Sequence, residues 1–229
     1  MQKILISDFD DTFYCTNEDI EENIKKVEEF RKKNNLFIIA TARNPINIKR
    51  KIEELNIKCD YIISSLGGVI ENENELIYSN YLKENLVRNI ENISKEYENI
   101  ELYRIGIEEA PKDTEVLGYK IKTKNNYLAL EKIKSKLEKY NKEIFCKIEN
   151  KEKLFINNKG NSKLKAINYL ITNKYINNKN IYTVGDSEDD LDMLKKFNGF
   201  RMESSSELVS QQIGKVVYNV AELIKKIDK

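Results

Sequence analysis

Four short apolar runs, Ile4 to Ile6, Leu36 to Ala40, Tyr61 to Ile63 and Ile181 to Val184, each end in acidic, polar or turn-forming residues. Runs of this length without alternation predict strands buried on both faces, as in a parallel sheet covered by helices. The segments after them carry helical spacing. Ile20, Ile24, Val27 and Phe30 recur every three or four positions behind Thr16, a possible cap, and Ile48, Ile52 and Leu55 follow Asn44-Pro45, a good N-cap and first-turn pair. The alternation of strand and helix predicts an α/β fold, a right-handed doubly wound parallel sheet with helices on both faces.

Between about Asn80 and Ile156 the period changes to the alternation of half-exposed, antiparallel strands. Leu82, Leu86, Ile90 and Ile93 read as a helix. Tyr103, Ile105 and Ile107, then Leu117, Tyr119 and Ile121, read as two strands with Pro111 in the turn between them. The same order repeats: a helix through Leu130, Ile133, Leu137 and Tyr140, then strands through Ile144, Cys146 and Ile148 and through Leu154 and Ile156. The expectation is a small α+β module, αββαββ, at residues 80–156, inserted into a core made of residues 1–79 and 157–229. The core resumes at a helix carrying Leu164, Ile167 and Ile171.

Composition narrows the function classes. Lys and Arg (39) nearly equal Asp and Glu (38) among 229 residues, so no net field steers nucleic acid or an anionic membrane to the chain. Mixed stretches such as Glu21 to Lys33 read as solvated helix surface. Cys15, Cys59 and Cys146 lack the paired spacing of a zinc site or a disulfide framework, and neither a signal-peptide h-region nor a membrane-length apolar run is visible. A soluble cytoplasmic protein is expected, without nucleic-acid or membrane partners, as a monomer or small homo-oligomer. The chain contains no histidine, which excludes Ser-His triads, histidine phosphatases and imidazole metal sites.

The first strand runs into Asp8-Phe9-Asp10-Asp11-Thr12, and the last of the four into Gly185-Asp186-Ser187-Glu188-Asp189-Asp190. Either cluster alone reads equally well as a turn or a helix cap. Two at the carboxyl edge of a parallel sheet, where such folds bind ligands, form a candidate site. Carboxylates so close raise each other's pKa unless a hard cation neutralises them, and with neither imidazole nor paired thiols magnesium is the candidate. Thr41 follows another strand and offers a hydroxyl and a backbone N–H beside a helix start. Lys163 opens the helix with Leu164 and Ile167. Taken singly, a threonine there is a cap and a lysine is one of many.

In this order the residues resemble the haloacid dehalogenase superfamily of phosphohydrolases. Asp8-Phe9-Asp10-Asp11-Thr12 is similar to its Asp-x-Asp-x-Thr motif, Thr41 in Ala40-Thr41-Ala42-Arg43 to its second, Lys163 to its third and Gly185 to Asp190 to its fourth. Lys159 and Lys165 are rivals for the third; Lys163-Leu164-Lys165-Ala166-Ile167 fits best. An insertion between the second and third motifs resembles the cap of Cof-like sugar phosphatases, sucrose-phosphate phosphatase, phosphomannomutase and archaeal phosphoglycolate phosphatase. Two departures stand out: Asp189 occupies the usual asparagine position of the fourth motif, and Leu66-Gly67-Gly68 replaces the usual Asn-Gly-Ala.

The resemblance implies hydrolysis of a small-molecule phosphate ester, such as a sugar phosphate or phosphoglycolate, through an aspartyl-phosphate on Asp8, with Asp10 as general acid and base. Magnesium would be held by Asp8, the Asp10 backbone carbonyl and Asp186, with Asp190 orienting bound water or Lys163. Thr41, Ala42, Arg43 and Lys163 would bind the phosphoryl group. The cap would close over the site and select the leaving group, with Tyr103, Arg104 and Tyr119 as candidate contacts or plain sheet positions. A phosphomutase is the nearest alternative, and a phospho-accepting signalling module a more distant one, disfavoured by the chain length and by Asp10.

Overall fold

In the computed structural model, which describes residues 1–228 except the side chains of Asn17 and Glu18, each of the four apolar runs is a strand. β1 (Ile4–Ser7) leads through α1 (Asn17–Lys32) to β2 (Leu36–Ala40), and α2 (Pro45–Glu54) leads to β3 (Tyr61–Ser64). Both expected caps form: the Thr16 hydroxyl oxygen accepts from the Asp19 N–H at 3.2 Å, and the Asn44 side-chain oxygen from the Asn47 N–H at 2.8 Å. Two short strands follow, β4 (Val69–Glu71), antiparallel to β3, and β5 (Leu76–Ser79).

The next segment forms α3 (Glu84–Lys95), β6 (Ile100–Ile105), β7 (Gly118–Thr123), α4 (Tyr127–Leu137), β8 (Ile144–Glu149) and β9 (Lys153–Asn158), in the expected αββαββ order. Its four strands make an antiparallel sheet ordered β6-β7-β9-β8. One face buries Tyr119, Ile121, Leu154 and Ile156 against Leu86, Val87, Ile90, Leu130 and Ile133 of the two helices. The strands lie a few residues from their expected bounds.

The chain then continues through α5 (Lys163–Thr172), β10 (Ile181–Gly185), α6 (Leu191–Lys196), β11 (Asn198–Met202), α7 (Glu207–Gln212), β12 (Val216–Val217) and α8 (Val220–Ile227). The large sheet is ordered β12-β11-β10-β1-β2-β3-β4-β5, and pairing is parallel from β12 to β3. Leu5, Phe37 and Ile39 pack on one face with residues of α1, α2 and α8, while Ile4, Ile6, Ile38 and Ile63 pack on the other with α5 and α6. Every side chain of β1 is therefore buried, which is why that strand shows no alternation.

By contacts the chain divides into two compact units. One takes Met1–Arg43, Ile48–Tyr78 and the chain from Ser162 onward; the other takes Asn44–Asn47 and Ser79–Asn161. The expected join at 156 falls inside β9, whose last residues, Asn157 and Asn158, carry no apolar signal. β4, β5, β11 and β12 were not expected either: β4, β11 and β12 carry no apolar run of three residues, and the Leu76 to Tyr78 run of β5 is only partly buried. No helix among the described residues is long and apolar enough to cross a membrane.

Close packing of α6 on β11 leaves no room for a side chain at Gly199, where a Cβ would lie 2.1 Å from the Leu194 carbonyl oxygen. Gly199→Ala is expected to cost about 1–3 kcal/mol by overpacking, read by calorimetry as a melting temperature lower by roughly 4–10 °C.

Candidate active site

Parallel register builds the site. Ser7 of β1 lies opposite Ile39 of β2 and Val184 of β10, so Asp8 emerges within one residue of Thr41 and Asp186 along the strand direction. β1 is the strand from which the chain winds both ways, to β2 and β3 on one side and β10 on the other, and such switch points open a crevice at the carboxyl edge. Asp8 is locked there by its N–H, which donates to the Val184 carbonyl at 2.9 Å.

Lys163, the first residue of α5, is 2% exposed. Its ammonium donates to Asp8 Oδ1 at 2.5 Å and to Asp190 Oδ1 at 2.6 Å. Burial alone would lower its pKa, but the two carboxylates outweigh that and hold it above the usual lysine value. Burial also pushes the Asp8 carboxyl up, against the pull of Lys163 and with Asp190 and Asp186 adding, to about 8. One ammonium cannot balance all the carboxylates gathered around it.

Asp190 has no exposed surface. Besides Lys163, it accepts at Oδ2 from the Asp186 N–H (3.2 Å), the Ser187 N–H (3.1 Å) and the Ser187 hydroxyl (3.0 Å). Oδ2 is thereby saturated, while Oδ1 accepts from Lys163 alone. Gly185 makes this possible, since a Cβ there would lie 2.4 Å from the Asp190 carboxyl carbon. Asp186 is raised above the usual carboxylate range, first by burial and then by Asp190 and Asp11, although the Thr12 hydroxyl donates to it at 2.7 Å. Asp189, at the position of the unusual fourth-motif carboxylate, is exposed, so its added charge is solvated.

Asp8, Asp186 and Asp190 each present a carboxylate oxygen within 4.8 Å of the others. An all-oxygen set carrying more negative charge than Lys163 neutralises fits a hard divalent cation of the magnesium type. Asp8 and Asp186 keep acceptor capacity for such an ion.

The Thr41 N–H, expected to face an anion, instead donates to the Ile63 carbonyl at 2.8 Å. The Thr41 hydroxyl oxygen accepts from the Arg43 N–H at 3.1 Å, which leaves its proton free to be donated. Ala42 is exposed at the same corner. The Arg43 guanidinium donates to both oxygens of Asp10, at 2.8 and 2.5 Å, and lies 5.0 Å over the Phe9 ring. Its bonds to Asp10 hold its pKa above the ordinary arginine value.

Of the expected site residues, Asp8, Lys163, Asp186 and Asp190 meet in one cluster, and Asp10 and Arg43 form a separate bidentate pair. Among the rival lysines, Lys159 donates to the Asn141 carbonyl within the inserted unit, and Lys165 is exposed. Two cap candidates are engaged internally. Tyr119 is buried and donates to Glu91 at 2.8 Å, and Arg104 pairs with Glu91 and Asp113. Tyr103 instead lies exposed on the helix-free face of its sheet, with the ammonium groups of Lys120 and Lys122 5.2 and 5.3 Å from its ring centroid. Thr12 and Ser187 carried no expected role; only their places within the first and fourth motifs signalled them.

Comparison with known proteins agrees with this geometry. Residues 1–209 match the family described as sucrose-6F-phosphate phosphohydrolase. YkrA of Bacillus subtilis (strain 168), which its name proposes to be a phosphatase, is 35% identical over 89 residues. That match covers 38% of this chain and 34% of YkrA, so the chain aligns with about a third of that relative. A haloacid dehalogenase-like hydrolase from Bacteroides thetaiotaomicron superimposes with a TM-score of 0.84 at 19% identity, over 99% of this chain and 100% of its own. The subclass IIB sugar phosphatase BT4131 does so at 0.73 and 17%, over 99% of each chain. With its length matched almost throughout, this chain belongs to the sucrose-6F-phosphate phosphohydrolase family, within the haloacid dehalogenase superfamily.

Proposed function

We propose that this protein is a magnesium-dependent phosphatase that hydrolyses small-molecule phosphomonoesters, sugar phosphates or phosphoglycolate-like esters, through a phosphorylated Asp8. The observation that carries the reading is the Asp8–Lys163–Asp190 cluster at the carboxyl edge of β1, with Asp186 beside it. Family membership and the sugar phosphatase among its structural relatives support the ester class.

In this reading an Asp8 carboxylate oxygen attacks phosphorus in line, displacing the ester oxygen and forming an aspartyl-phosphate that water then hydrolyses. Asp10, entering the cycle protonated, gives its proton to the departing alkoxide, and the carboxylate left behind takes one from the incoming water. Arg43 fixes the Asp10 carboxylate in place and yields one of its two bonds as that carboxyl turns to the substrate. The Thr41 hydroxyl and the Lys163 ammonium, with the Ala42–Arg43 corner, stabilise charge on the equatorial phosphoryl oxygens. Asp190 positions Lys163, being itself held at Oδ2 by the Asp186 and Ser187 donors, and Asp8 and Asp186 would hold the cation. A bound magnesium ion supplies positive charge to the phosphoryl oxygens and offsets the carboxylates.

Asp8→Asn keeps the side-chain shape but removes the nucleophile. Hydrolysis of p-nitrophenyl phosphate should fall by at least about a thousandfold with the circular dichroism spectrum unchanged, and substantial residual turnover would refute the nucleophile assignment. Release of free phosphate from a panel of sugar phosphates, rather than an isomerised ester, separates hydrolase from mutase.

Magnesium makes a second prediction. Because the folded-state pKa of Asp8 is raised from 3.8 to about 8, the metal-free protein holds a proton that the unfolded chain has released. Its stability should therefore decline as pH rises between those values. Magnesium at a hundred times its Kd should add about 2.7 kcal/mol, a melting-temperature rise of roughly 5–10 °C. The rise should be larger at pH 8 than at pH 5.5, where binding must expel the proton; a pH-independent rise would count against Asp8 as a ligand.

A further inference from the structure

After β3 the chain enters three consecutive residues with left-handed backbone, Ser65 (φ 50°), Leu66 (φ 58°) and Gly67 (φ 93°). Glycine adopts this region freely, but each non-glycine residue there costs about 1–2 kcal/mol. Leucine has no short polar side chain to offset that cost. Such strain survives only where the surroundings over-determine it, and it collects at functional sites.

What over-determines it is visible on both sides. The Leu66 N–H donates to the Thr41 carbonyl at 3.1 Å and the Ser65 N–H to the Arg43 carbonyl at 2.7 Å, so the turn grips the segment carrying Thr41 and Arg43. On its other side Gly67 lies against the start of α5. A Cβ on Gly67 would meet the Ser162 carbonyl oxygen at 2.3 Å and the Ala166 Cβ at 3.3 Å. Ser162 caps the helix that begins with Lys163, its hydroxyl oxygen accepting from the Lys165 N–H at 3.2 Å. One three-residue turn thus touches the supports of both side chains assigned to the phosphoryl oxygens.

We propose that the left-handed turn Ser65–Gly67 is a positioning element that sets Thr41 and Lys163 on one phosphoryl group, with the strained Leu66 as its central residue. This rests on the phosphatase reading. The turn acts through backbone groups, so the residue at 66 matters for the conformation it permits rather than for a contact it makes.

Leu66→Asn, Leu66→Ala and Leu66→Val all keep the peptide N–H but differ in tolerance of left-handed backbone, asparagine best and β-branched valine worst. Calorimetric affinity for inorganic phosphate, affinity for magnesium, and kcat and KM on p-nitrophenyl phosphate are measured on each. Leu66→Asn should stay within about threefold of wild type, whereas Leu66→Val should lose about tenfold or more in phosphate affinity and in kcat, with alanine between. Magnesium affinity should be unchanged in all three. Equal behaviour of the valine and asparagine variants would overturn the proposal, as would a parallel loss of magnesium affinity. If Leu66→Val does not fold, the alanine and asparagine variants decide by the same criterion. Wild-type protein that binds phosphate without turnover would refute the phosphatase reading and leave the phosphate arm to judge the turn; wild-type protein that does neither would overturn both.

Discussion

The ammonium of Lys163 sits out of water between Asp8, 155 residues away in sequence, and Asp190, 27 residues away. Removing one partner from such a buried pair costs about 3–5 kcal/mol, because the remaining charge is stranded in a poorly solvating interior. Lys163 therefore ties the end of β1, the start of α5 and the turn after β10 into one arrangement. The same contact leaves the site electrically incomplete. With Asp186 nearby, negative charge exceeds what one ammonium balances, and burial first, then the neighbouring carboxylates, raise the Asp8 and Asp186 carboxyls. A hard cation and a phosphoryl group are complementary to what is missing: the first meets the excess charge, and the second meets the hydroxyl and ammonium donors.

Support around this contact is layered. Asp190 is held by three donors from Asp186 and Ser187 in addition to Lys163, so its position is fixed before any ligand arrives. Thr12 links the first motif to Asp186. Asp10 lies apart from the cluster, half exposed and clasped by Arg43. Of the two departures from the family pattern, the carboxylate of Asp189 points its charge to water. Leu66 enters the site's support through its backbone.

The four core strands, the order of the αββαββ insertion and the chemistry-bearing residues at strand ends were legible in the sequence, because burial on both faces and helical or alternating spacing leave a local imprint. Strands β4, β11 and β12 left none, and the apolar run of β5 was too exposed to match that signature. They lack a run of buried apolar residues, and their place in the sheet is set by pairing with neighbouring strands. Motif order likewise named Asp8, Thr41, Lys163 and Asp186, since each follows a strand or opens a helix.

Partner choice was decided only by tertiary structure. The sequence put four carboxylates and a lysine near one sheet edge, but register and helix placement determined that Lys163 bridges Asp8 and Asp190, and that Arg43 takes Asp10. They also turned the Thr41 N–H to Ile63 and buried Tyr119 on Glu91 instead of leaving it to a ligand. The left-handed course of Leu66, against that residue's own preference, is the plainest case. Residue type and spacing are local properties and can be read along the chain. Hydrogen-bond partners and strained backbone are fixed by contacts between segments far apart in sequence, and only the folded chain brings those together.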